Sequence, residues 1–411
     1  MADFEQIVAR EEQFLVNTYA RYPLALKRGR GVYVYDTAGR RYLDLVGGLG
    51  VNALGHAHPR VVKVIRDQAA KLIHTSNLYY HEFQGALAER LVRLSGLDRA
   101  FFSNSGTEAI EGAIKIARAA GHRAAGDAKC ELVALAGSFH GRTFGAMSVT
   151  GQDKYRKGFE PMLEGVKFVG LNDVEALRAA VTDNTCAILL ETIQGEGGIR
   201  ECSPEFLQAA RESADRHDAA LVLDEIQCGM GRTGRMFAFQ RHGVMPDIVT
   251  VAKPIAAGLP LGAILVKERF ASAITPGKHG TTFGGGALAC RVALEYLQIL
   301  EDEHLLEQVH RVGAYMHGKF LELGERYPEL VIEARGTGMI QALHLTVPGR
   351  PLVDAALQAG VLLNVTQESV LRFLPAYLLE EKHVDKGIKV LGKLLSETRK
   401  QRKAESASVA R

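Results

Sequence analysis

Short apolar runs alternate with helical patterns along the middle of the chain, and this alternation constrains the fold most strongly. The runs are RAFF at 99, ELVALAG at 131, CAILLE at 186, LVLDE at 221, DIVTVAK at 247 and GAILVK at 262. Val, Ile and Leu on both faces of a run are typical of strands covered by helices on each side. The sequence therefore predicts an α/β fold with a mostly parallel sheet.

The segments on either side of these runs predict a smaller α+β unit. RGVYVYDTAGRRYLDL favours a hairpin with its turn at 36–39, and the segment beyond residue 290 contains long helical patterns followed by short strands. We expect a large α/β domain at 61–300, flanked by an N-terminal segment at 1–60 and a C-terminal α+β unit at 301–398. Residues 399–411 are predicted to form a disordered tail.

Composition and charge exclude several classes of protein. The 50 Lys and Arg residues nearly balance the 47 Asp and Glu residues, so the net charge of +3 indicates no nucleic-acid partner. The sequence contains neither an apolar run of about 18 residues nor a secretory leader pattern, which predicts no membrane partner. Its five cysteines form no CxxC pair, so we expect no disulfide framework, no structural metal and a reducing, cytoplasmic location.

A helix N-terminus is predicted directly after the first strand. Ser105 and Glu108 fit a capping box, and apolar residues continue at helical spacing beyond them. Free backbone N–H groups at a helix N-terminus bind phosphate, and Gly106 permits a close approach. Ser105, Gly106 and Thr107 therefore form a candidate phosphate site, whereas a capping box taken alone more often only begins a helix.

An acidic residue ends the strand that contains LVLDE. Open α/β sheets contact ligands at the carboxyl ends of parallel strands, so Asp224 is a candidate partner for a cationic ligand group. Gly229, Gly231 and Gly234 then form a literal GxGxxG pattern. A dinucleotide fingerprint requires these glycines to open a helix, and no helical stripe follows them. We interpret them as a glycine-rich loop.

Lys253 ends the next apolar strand and is followed by Pro254, small residues and glycine. Desolvation at such a position favours the neutral, nucleophilic amine of a Schiff-base lysine, although a surface lysine is an equal alternative for this residue alone. The phosphate site, the acid and the lysine together indicate one ligand, pyridoxal phosphate. Its phosphate, ring nitrogen and aldehyde match residues 105–107, Asp224 and Lys253 respectively.

A series of motifs along nearly the whole chain resembles one known family. The motifs are VNALGHAHPRV, TSNLYY, SNSGTEAIEGAIKIAR, SFHGRT, ETIQGEGG, LDEIQCGMGRTG, TVAKP, GTTFGGG and LRFLPA. In content, order and spacing they resemble the class III, fold-type I, pyridoxal-phosphate aminotransferases, which implies a seven-stranded-type sheet in the large domain. Within that family the chain is most similar to members that act on N-acetyl-L-ornithine.

The resemblance agrees with the roles argued above for the lysine, the acid and the phosphate site, and it extends the cofactor site. It implies that Gln227 lies near the ring hydroxyl and that Phe139 stacks on the ring. Thr282 would reach the phosphate from a neighbouring subunit, which implies a homodimer with composite active sites.

The same resemblance implies residues for the substrates. Arg142 would clamp an α-carboxylate through two parallel hydrogen bonds, and Thr281 would lie near the acetylated amino acid. Glu196 and Arg372 resemble the pair that lets ω-aminotransferases accept first an ω-amine and then 2-oxoglutarate. With the pair closed, Arg372 is neutralised; with Glu196 displaced, Arg372 is free for a second carboxylate. An ordinary surface ion pair is the alternative.

Three positions depart from the family pattern. Thr192 stands where many members have proline, Pro254 follows the lysine where a small residue is commoner, and GGGALAC replaces GGNPLAC. None of them changes the lysine, the aspartate or the arginine clamp. His56 and His58 could ligate a metal, but no third ligand stands at a suitable spacing, so we interpret them as structural.

The sequence therefore predicts ping-pong transamination between N-acetyl-L-ornithine and 2-oxoglutarate, with N-acetyl-L-glutamate 5-semialdehyde and L-glutamate as products. Alternative donors in the same family are ornithine, succinylornithine, succinyldiaminopimelate, 4-aminobutyrate and carrier-linked intermediates of lysine synthesis. Alternatives of other classes are a glutamate-semialdehyde-type aminomutase and a dinucleotide-dependent dehydrogenase. A non-enzymatic scaffold would leave Asp224 and Lys253 unexplained.

Overall fold

A seven-stranded sheet forms the centre of this computed structural model, which describes residues 4–409. In spatial order its strands are Arg99–Ser103, Gly262–Val266, Ile248–Val251, Ala220–Asp224, Thr185–Glu191, Glu131–Leu135 and Val166–Val169. Neighbouring strands are parallel, except that Gly262–Val266 is antiparallel to the strand on each side. The predicted mostly parallel sheet is confirmed.

Both faces of the sheet are buried, which explains why its strands are continuously apolar. Leu221 and Leu223 belong to one apolar cluster, whereas Ala220 and Val222, on the opposite face, belong to another. The second cluster includes the apolar face of helix Gly106–Ala125. This sandwich of helices around the sheet leaves the ends of the strands as the place for a ligand.

The helices cover the sheet and connect its strands. The longer ones are Phe4–Phe14, Pro59–Ala69, Glu82–Ser95, Gly106–Ala125, Pro204–Arg216, Ala287–Asp302, Leu305–Arg326, Arg350–Gln358 and Glu381–Val409. Shorter ones are Gly47–Gly50, Phe144–Ser148, Asp153–Arg156, Val174–Ala180 and Glu268–Ala271, with 3-10 helices at Ala238–Arg241 and Lys253–Ala256. Among the described residues, no helix combines the length and the apolarity needed to cross a bilayer.

Segments near the two ends of the chain share a small sheet. The predicted hairpin consists of the antiparallel strands Tyr33–Asp36 and Arg41–Asp44, with Leu26–Arg30 beside the first and Val361–Leu362 parallel to the second. A separate antiparallel sheet contains Val331–Thr337, Ile340–Leu345, Val370–Phe373 and Asn364–Thr366, and Ile193–Gln194 pairs with Arg200–Glu201. The division into domains at residues 60, 300 and 398 stays a prediction.

The segment predicted to be a disordered tail is helical as far as the structure describes it. Helix Glu381–Val409 includes residues 399–409, and the last two residues lie outside the described part of the chain. Arg399 lies 3.8 Å from Glu329, and Arg402 donates a 3.4 Å hydrogen bond to Thr346. The Lys, Arg, Glu and Ala residues of this segment favour a helix, so they extend the preceding one instead of fraying.

The glycine-rich segment at 229–234 is a loop, as predicted. Bends directly follow Gly234, and the next element is the 3-10 helix Ala238–Arg241. Arg232 in this loop is fully buried, and its guanidinium donates hydrogen bonds to the carbonyl oxygens of Gly50, Met339 and Pro375. The loop therefore connects three distant segments of the chain. This arrangement differs from a dinucleotide fingerprint, in which the glycines bring a helix N-terminus to a pyrophosphate.

Candidate active site

The carboxyl ends of the sheet strands line a cavity of about 410 Å³. Asp224 and Glu191 end neighbouring parallel strands and lie side by side in the register. Open α/β sheets bind ligands at this edge. The cavity is lined by these residues predicted for the site: Ser105, Gly106, Thr107, Phe139, Arg142, Glu196, Asp224, Gln227 and Lys253.

The predicted phosphate site lies at the N-terminus of helix Gly106–Ala125. Ser105 is the N-cap, and its hydroxyl accepts a 3.3 Å hydrogen bond from the Glu108 N–H. In the predicted capping box, the Glu108 carboxylate would accept a hydrogen bond from the N–H of Ser105. It accepts instead from the N–H of the preceding residue, Asn104, at 2.6 Å. The first helical turn lines the cavity, and its N–H groups have no acceptor within the helix.

Residues 106 and 107 are packed closely against neighbouring loops. A Cβ atom added to Gly106 would lie 2.8 Å from the Ile226 side chain, so this position requires glycine. The Thr107 hydroxyl lies 2.8 Å from that of Thr143 and accepts hydrogen bonds from the N–H groups of Arg142 and Thr143. These bonds fix the SFHGRT loop beside the helix N-terminus.

Asp224 is held by a histidine that the sequence analysis did not select. Its Oδ2 lies 2.7 Å from Nδ1 of His140, and its Oδ1 accepts a 3.0 Å hydrogen bond from the Ile226 N–H. Both side chains of the Asp224–His140 pair are buried. Nε2 of His140 is also buried and has no hydrogen-bond partner among the described residues. The pair fixes the carboxylate in one orientation at the cavity wall.

Lys253 begins the 3-10 helix that follows strand Ile248–Val251. Desolvation lowers the pKa of Lys253; the charge of Glu196 opposes this lowering, and the charge of Arg372 adds to it. Its φ of +25° lies outside the conformations that side-chain-bearing residues favour, and such strain concentrates at functional sites. The lysine therefore has the environment that favours a neutral amine.

Glu196 and Arg372 form a closed pair. Their Oε1 and Nη1 atoms are 2.5 Å apart, and Arg372 also donates to Asn364 at 3.0 and 2.8 Å and to Gln227 at 3.3 Å. Arg372 is only 2% exposed, so this is not a surface ion pair. Burial alone would raise the pKa of Glu196, yet the charge and hydrogen bond of Arg372 hold it below its ordinary value.

A second buried carboxylate, also missed by the sequence analysis, positions two parts of the site. Glu191 accepts 2.9 Å hydrogen bonds from the N–H groups of Phe139 and Gly195. Burial raises its pKa to about 7, with the charge of His140 opposing and that of Asp224 adding to the rise. Glu191 ends an apolar strand in the same way as Asp224, and this shared signal could have identified it.

Comparison with known proteins places this geometry in a family. A sequence model described as "Aminotransferase class-III" matches residues 15–395. The chain belongs to the class-III aminotransferases. Two relatives of this class-III aminotransferase are the acetylornithine aminotransferases of Methanocaldococcus jannaschii and Aquifex aeolicus, at 45% and 43% identity. The alignments cover 96% and 93% of the chain and 99% and 100% of those proteins.

Solved structures of this family have the same fold as the class-III aminotransferase described here. Ornithine aminotransferase from Toxoplasma gondii has a TM-score of 0.94 at 29% identity, and the match covers 98% of this chain and 97% of that one. Acetylornithine aminotransferase from Elizabethkingia anophelis has a TM-score of 0.86 at 28% identity, covering 97% and 100%. A second Toxoplasma structure, at 30% identity, is described as having partial occupancy of PLP at its active site. The predicted family and fold are confirmed.

Two residues predicted for the site of this aminotransferase do not line its cavity. Thr281 lines a neighbouring cavity and accepts a 2.9 Å hydrogen bond from Asn104, while Thr282 is exposed. The role predicted for Thr282 requires contact with a second subunit, and the roles predicted for both residues stay predictions. Arg142, in contrast, is exposed at the main cavity, with its guanidinium 4.2 Å from the centre of the Tyr155 ring.

The three departures from the family pattern differ in their contacts and in their positions in the secondary structure. The hydroxyl of Thr192 lies 3.3 Å from the Cys228 sulfur, and Pro254 occupies the first turn of a 3-10 helix, where proline is compatible. In GGGALAC, Gly286 is the N-cap of helix Ala287–Asp302 and supplies no side-chain cap. The two histidines contact different carboxylates: His56 lies 2.8 Å from Asp44, and His58 lies 3.4 Å from Glu303.

Proposed function

We propose that this class-III aminotransferase transfers the amino group of N-acetyl-L-ornithine to 2-oxoglutarate, as in arginine biosynthesis. The products are N-acetyl-L-glutamate 5-semialdehyde and L-glutamate, formed in a reversible ping-pong sequence. One observation carries the proposal: Lys253 and Asp224 line the same cavity, with the closed Glu196–Arg372 pair beside it. Relatives named acetylornithine aminotransferase, at 42–45% identity over nearly the whole chain, support the choice of donor.

The residues that line the cavity fit pyridoxal phosphate. A helix N-terminus suits the phosphate, the Asp224 carboxylate suits a protonated ring nitrogen, and the Lys253 amine suits an aldehyde. When bound, the cofactor supplies an electron sink for the C–H bond broken at the substrate carbon. Phe139 would lie against the ring, and Gln227 near its hydroxyl.

The chain's own residues move and hold the protons. Because desolvation favours a neutral amine at Lys253, its Nζ is the group suited to accept and hold the proton from the substrate carbon. Asp224 remains an acceptor because His140 and the Ile226 N–H hold it by hydrogen bonds. Glu191 keeps the backbone of Phe139 in place.

The Glu196–Arg372 pair explains how one site accepts two different substrates. With the pair closed, the guanidinium charge is neutralised, and the neutral wall suits the ω-amine donor. The 2-oxo acid has a second carboxylate, which competes with Glu196 for Arg372 and forms a bidentate pair when Glu196 moves away. Arg142 at the cavity mouth binds the carboxylate common to both substrates.

Thr282 supports a homodimer with composite sites as part of this proposal. It is exposed and does not line the cavity of its own chain, and the neighbouring Thr281 lines a second cavity together with Tyr80. Asn77 donates hydrogen bonds to the carbonyl oxygens of Thr281 and Gly284, and Tyr80 and Phe283 are exposed. Aromatic side chains are enriched at protein–protein interfaces.

A panel of amine donors with 2-oxoglutarate tests the proposed substrate. N-acetyl-L-ornithine is expected to give L-glutamate at the highest kcat/KM among the donors named in the sequence analysis. Rapid glutamate formation from another donor, with none from N-acetyl-L-ornithine, would replace the proposed donor while leaving the transaminase chemistry intact. Amine transfer within one molecule, without 2-oxoglutarate, would instead indicate an aminomutase.

Borohydride treatment separates this chemistry from a dehydrogenase. A yellow protein whose visible band disappears on reduction, with the reduced cofactor attached at Lys253, is the expected result. Turnover that depends on a nicotinamide cofactor, with no reducible chromophore, would contradict the proposal.

A further inference from the structure

A second cleft lies behind the loop that carries Glu196. Its volume of about 490 Å³ falls within the range typical of small-molecule sites. Its walls come from loops at the edge of the central sheet and from the antiparallel C-terminal sheet. The polar side chains that line it are Gln152, Gln194, Arg200, Arg335, His344 and Gln367.

Two guanidinium groups line this cleft, and one of them is paired with a carboxylate. Arg335 is mostly buried; its Nε donates a 2.7 Å hydrogen bond to the Gly198 carbonyl, and its Nη1 pairs with Glu333. Arg200 is exposed, and its side chain has no ionic or hydrogen-bond partner among the described residues. Desolvation lowers the pKa of Arg335, and the charge of Arg200 adds to the lowering although Glu333 opposes it. Arg200 therefore brings an unpaired positive charge to a cleft that Arg335 also lines.

His344 adds an unsatisfied polar atom to the same wall. Its Nδ1 is buried, has no hydrogen-bond partner within the described chain and lies 3.7 Å from the Glu333 carboxylate. Burial lowers the pKa of His344 and the charge of Arg335 adds to this effect, while Glu333 opposes it. A buried ring nitrogen without a partner is uncommon in folded proteins, and a polar ligand in the cleft would satisfy it.

The cleft is connected by hydrogen bonds to the loop at 194–200. The Gln367 amide donates to the Glu196 carbonyl at 2.7 Å and to the Gln152 side chain at 3.1 Å. The Thr366 hydroxyl donates to the same Glu196 carbonyl at 2.9 Å. Arg200 itself lies at the end of the loop, in the strand that pairs with Ile193–Gln194. A ligand held in the cleft would therefore restrain the backbone that carries Glu196.

We propose that this cleft is a second binding site for a small dicarboxylate, held by Arg200 and Arg335 and separate from the cavity that contains Lys253. Two guanidinium groups recognise two carboxylates by charge-assisted hydrogen bonds, and the His344 ring supplies a further polar contact. Occupancy of the cleft slows local opening of residues 194–200. This inference is independent of the proposed amino-group donor.

Succinate binding to the cofactor-loaded enzyme, followed by titration calorimetry, tests the site. Arg200→Ala is expected to weaken binding about ten-fold, because the substitution removes a charge-assisted hydrogen bond to a carboxylate. Arg216→Ala is the matched control, since Arg216 is also an exposed arginine without an ion pair among the described residues. Hydrogen exchange of residues 194–200 is expected to slow with succinate in the unmodified enzyme and the control, but not in Arg200→Ala.

Three results would overturn the proposal. The first is no succinate binding, and the second is equal binding to Arg200→Ala and the unmodified enzyme, which would locate the succinate in the main cavity. The third is an equal loss in Arg200→Ala and Arg216→Ala, which would show only a general charge effect. Binding without slower exchange at 194–200 would refute the connection to the loop. None of these readouts requires turnover, so they leave the proposed function untouched.

Discussion

Buried carboxylates at the strand ends differ in role because they differ in partners. Asp224 contacts His140 and faces the cavity, whereas Glu225 accepts 2.7 Å hydrogen bonds from the N–H groups of Ala238 and Phe239. Burial raises the pKa of Glu225 to about 8, and the two N–H groups oppose this rise. The last acid of this strand and the acid that follows it thus have separate functions: Asp224 faces the ligand, and Glu225 holds a loop.

Replacing His140 is the sharpest test of the Asp224 environment. His140→Ala removes a hydrogen bond to a charged group, a loss of about 1.5–3 kcal/mol, and kcat is expected to fall about 10- to 100-fold. Spectral titration of the bound cofactor should show a lower pKa for its ring nitrogen, because a less well held carboxylate stabilises the cation less. His122→Ala, which changes a more exposed histidine outside the site, is the control. Unchanged kcat and titration in His140→Ala would refute this positioning role.

At the scale of single residues, strand-end signals were enough to predict Asp224, Lys253 and the helix N-terminus at Ser105. They were not enough to predict His140, because its partner Asp224 lies 84 residues away in the sequence. Nor could they show that Arg372 also binds Asn364, a contact made across paired strands of the C-terminal sheet. Such partners depend on tertiary geometry, which local sequence patterns do not contain.

At the scale of elements, the N-terminus of helix Ala287–Asp302 is less stable than it could be. Gly286 at the N-cap has φ −60° and ψ 149°, and no side chain caps the helix. This conformation is compatible with a following proline, and the first helical N–H has no acceptor within the helix. The family pattern GGNPLAC has proline at this first helical position, where GGGALAC has Ala287.

Ala287→Pro is therefore expected to stabilise the protein by about 0.4–1 kcal/mol, because proline restricts the unfolded chain at a position where its φ fits. Urea denaturation of the two proteins measures the change. Ala293→Pro, in the middle of the same helix, is the contrasting variant and should destabilise by about 3 kcal/mol or more. A destabilised Ala287→Pro would show that the buried site cannot accommodate the ring.

Sequence patterns predicted some of the strands and helices and missed others. Strands such as Ala220–Asp224, buried on both faces, were predicted because they are continuously apolar. The edge strand Val166–Val169 was missed, since its VKFV sequence is short and contains a lysine. The predicted end of the last helix, at residue 398, was too early. Its charged residues resemble a solvated tail in the sequence, which does not show the contacts of Arg399 and Arg402 with Glu329 and Thr346.

At the scale of the whole molecule, we expect each active site to need residues from two subunits. The chain supplies Lys253 to its own cavity, whereas Thr282 is exposed outside that cavity. Thr282→Asp would place a negative charge against the phosphate of a neighbouring subunit, and Lys253→Ala would inactivate the cavity of its own chain. In a mixed dimer the two defects are therefore expected to lie in the same site, which leaves the other site intact.

Heterodimers of Lys253→Ala and Thr282→Asp chains, purified by two different tags, test this arrangement. If the sites are composite, one of the two sites contains both native residues, and about half of the native specific activity is recovered. Each homodimer made in parallel should have little activity. A heterodimer no more active than the mean of the two homodimers would show that Thr282 acts within its own chain or not at all.

The proposed role of the Lys253 amine as carrier of the substrate proton is tested by steady-state kinetics. The Lys253→Ala enzyme is assayed with N-acetyl-L-ornithine and 2-oxoglutarate. Because the amine at position 253 is the group placed to carry the substrate proton, kcat is expected to fall by at least about 10²–10⁴-fold. Circular dichroism and cofactor binding should show that the variant remains folded and loaded. Multiple turnovers at the native rate would contradict the account, since the reacting proton would then be carried by another group.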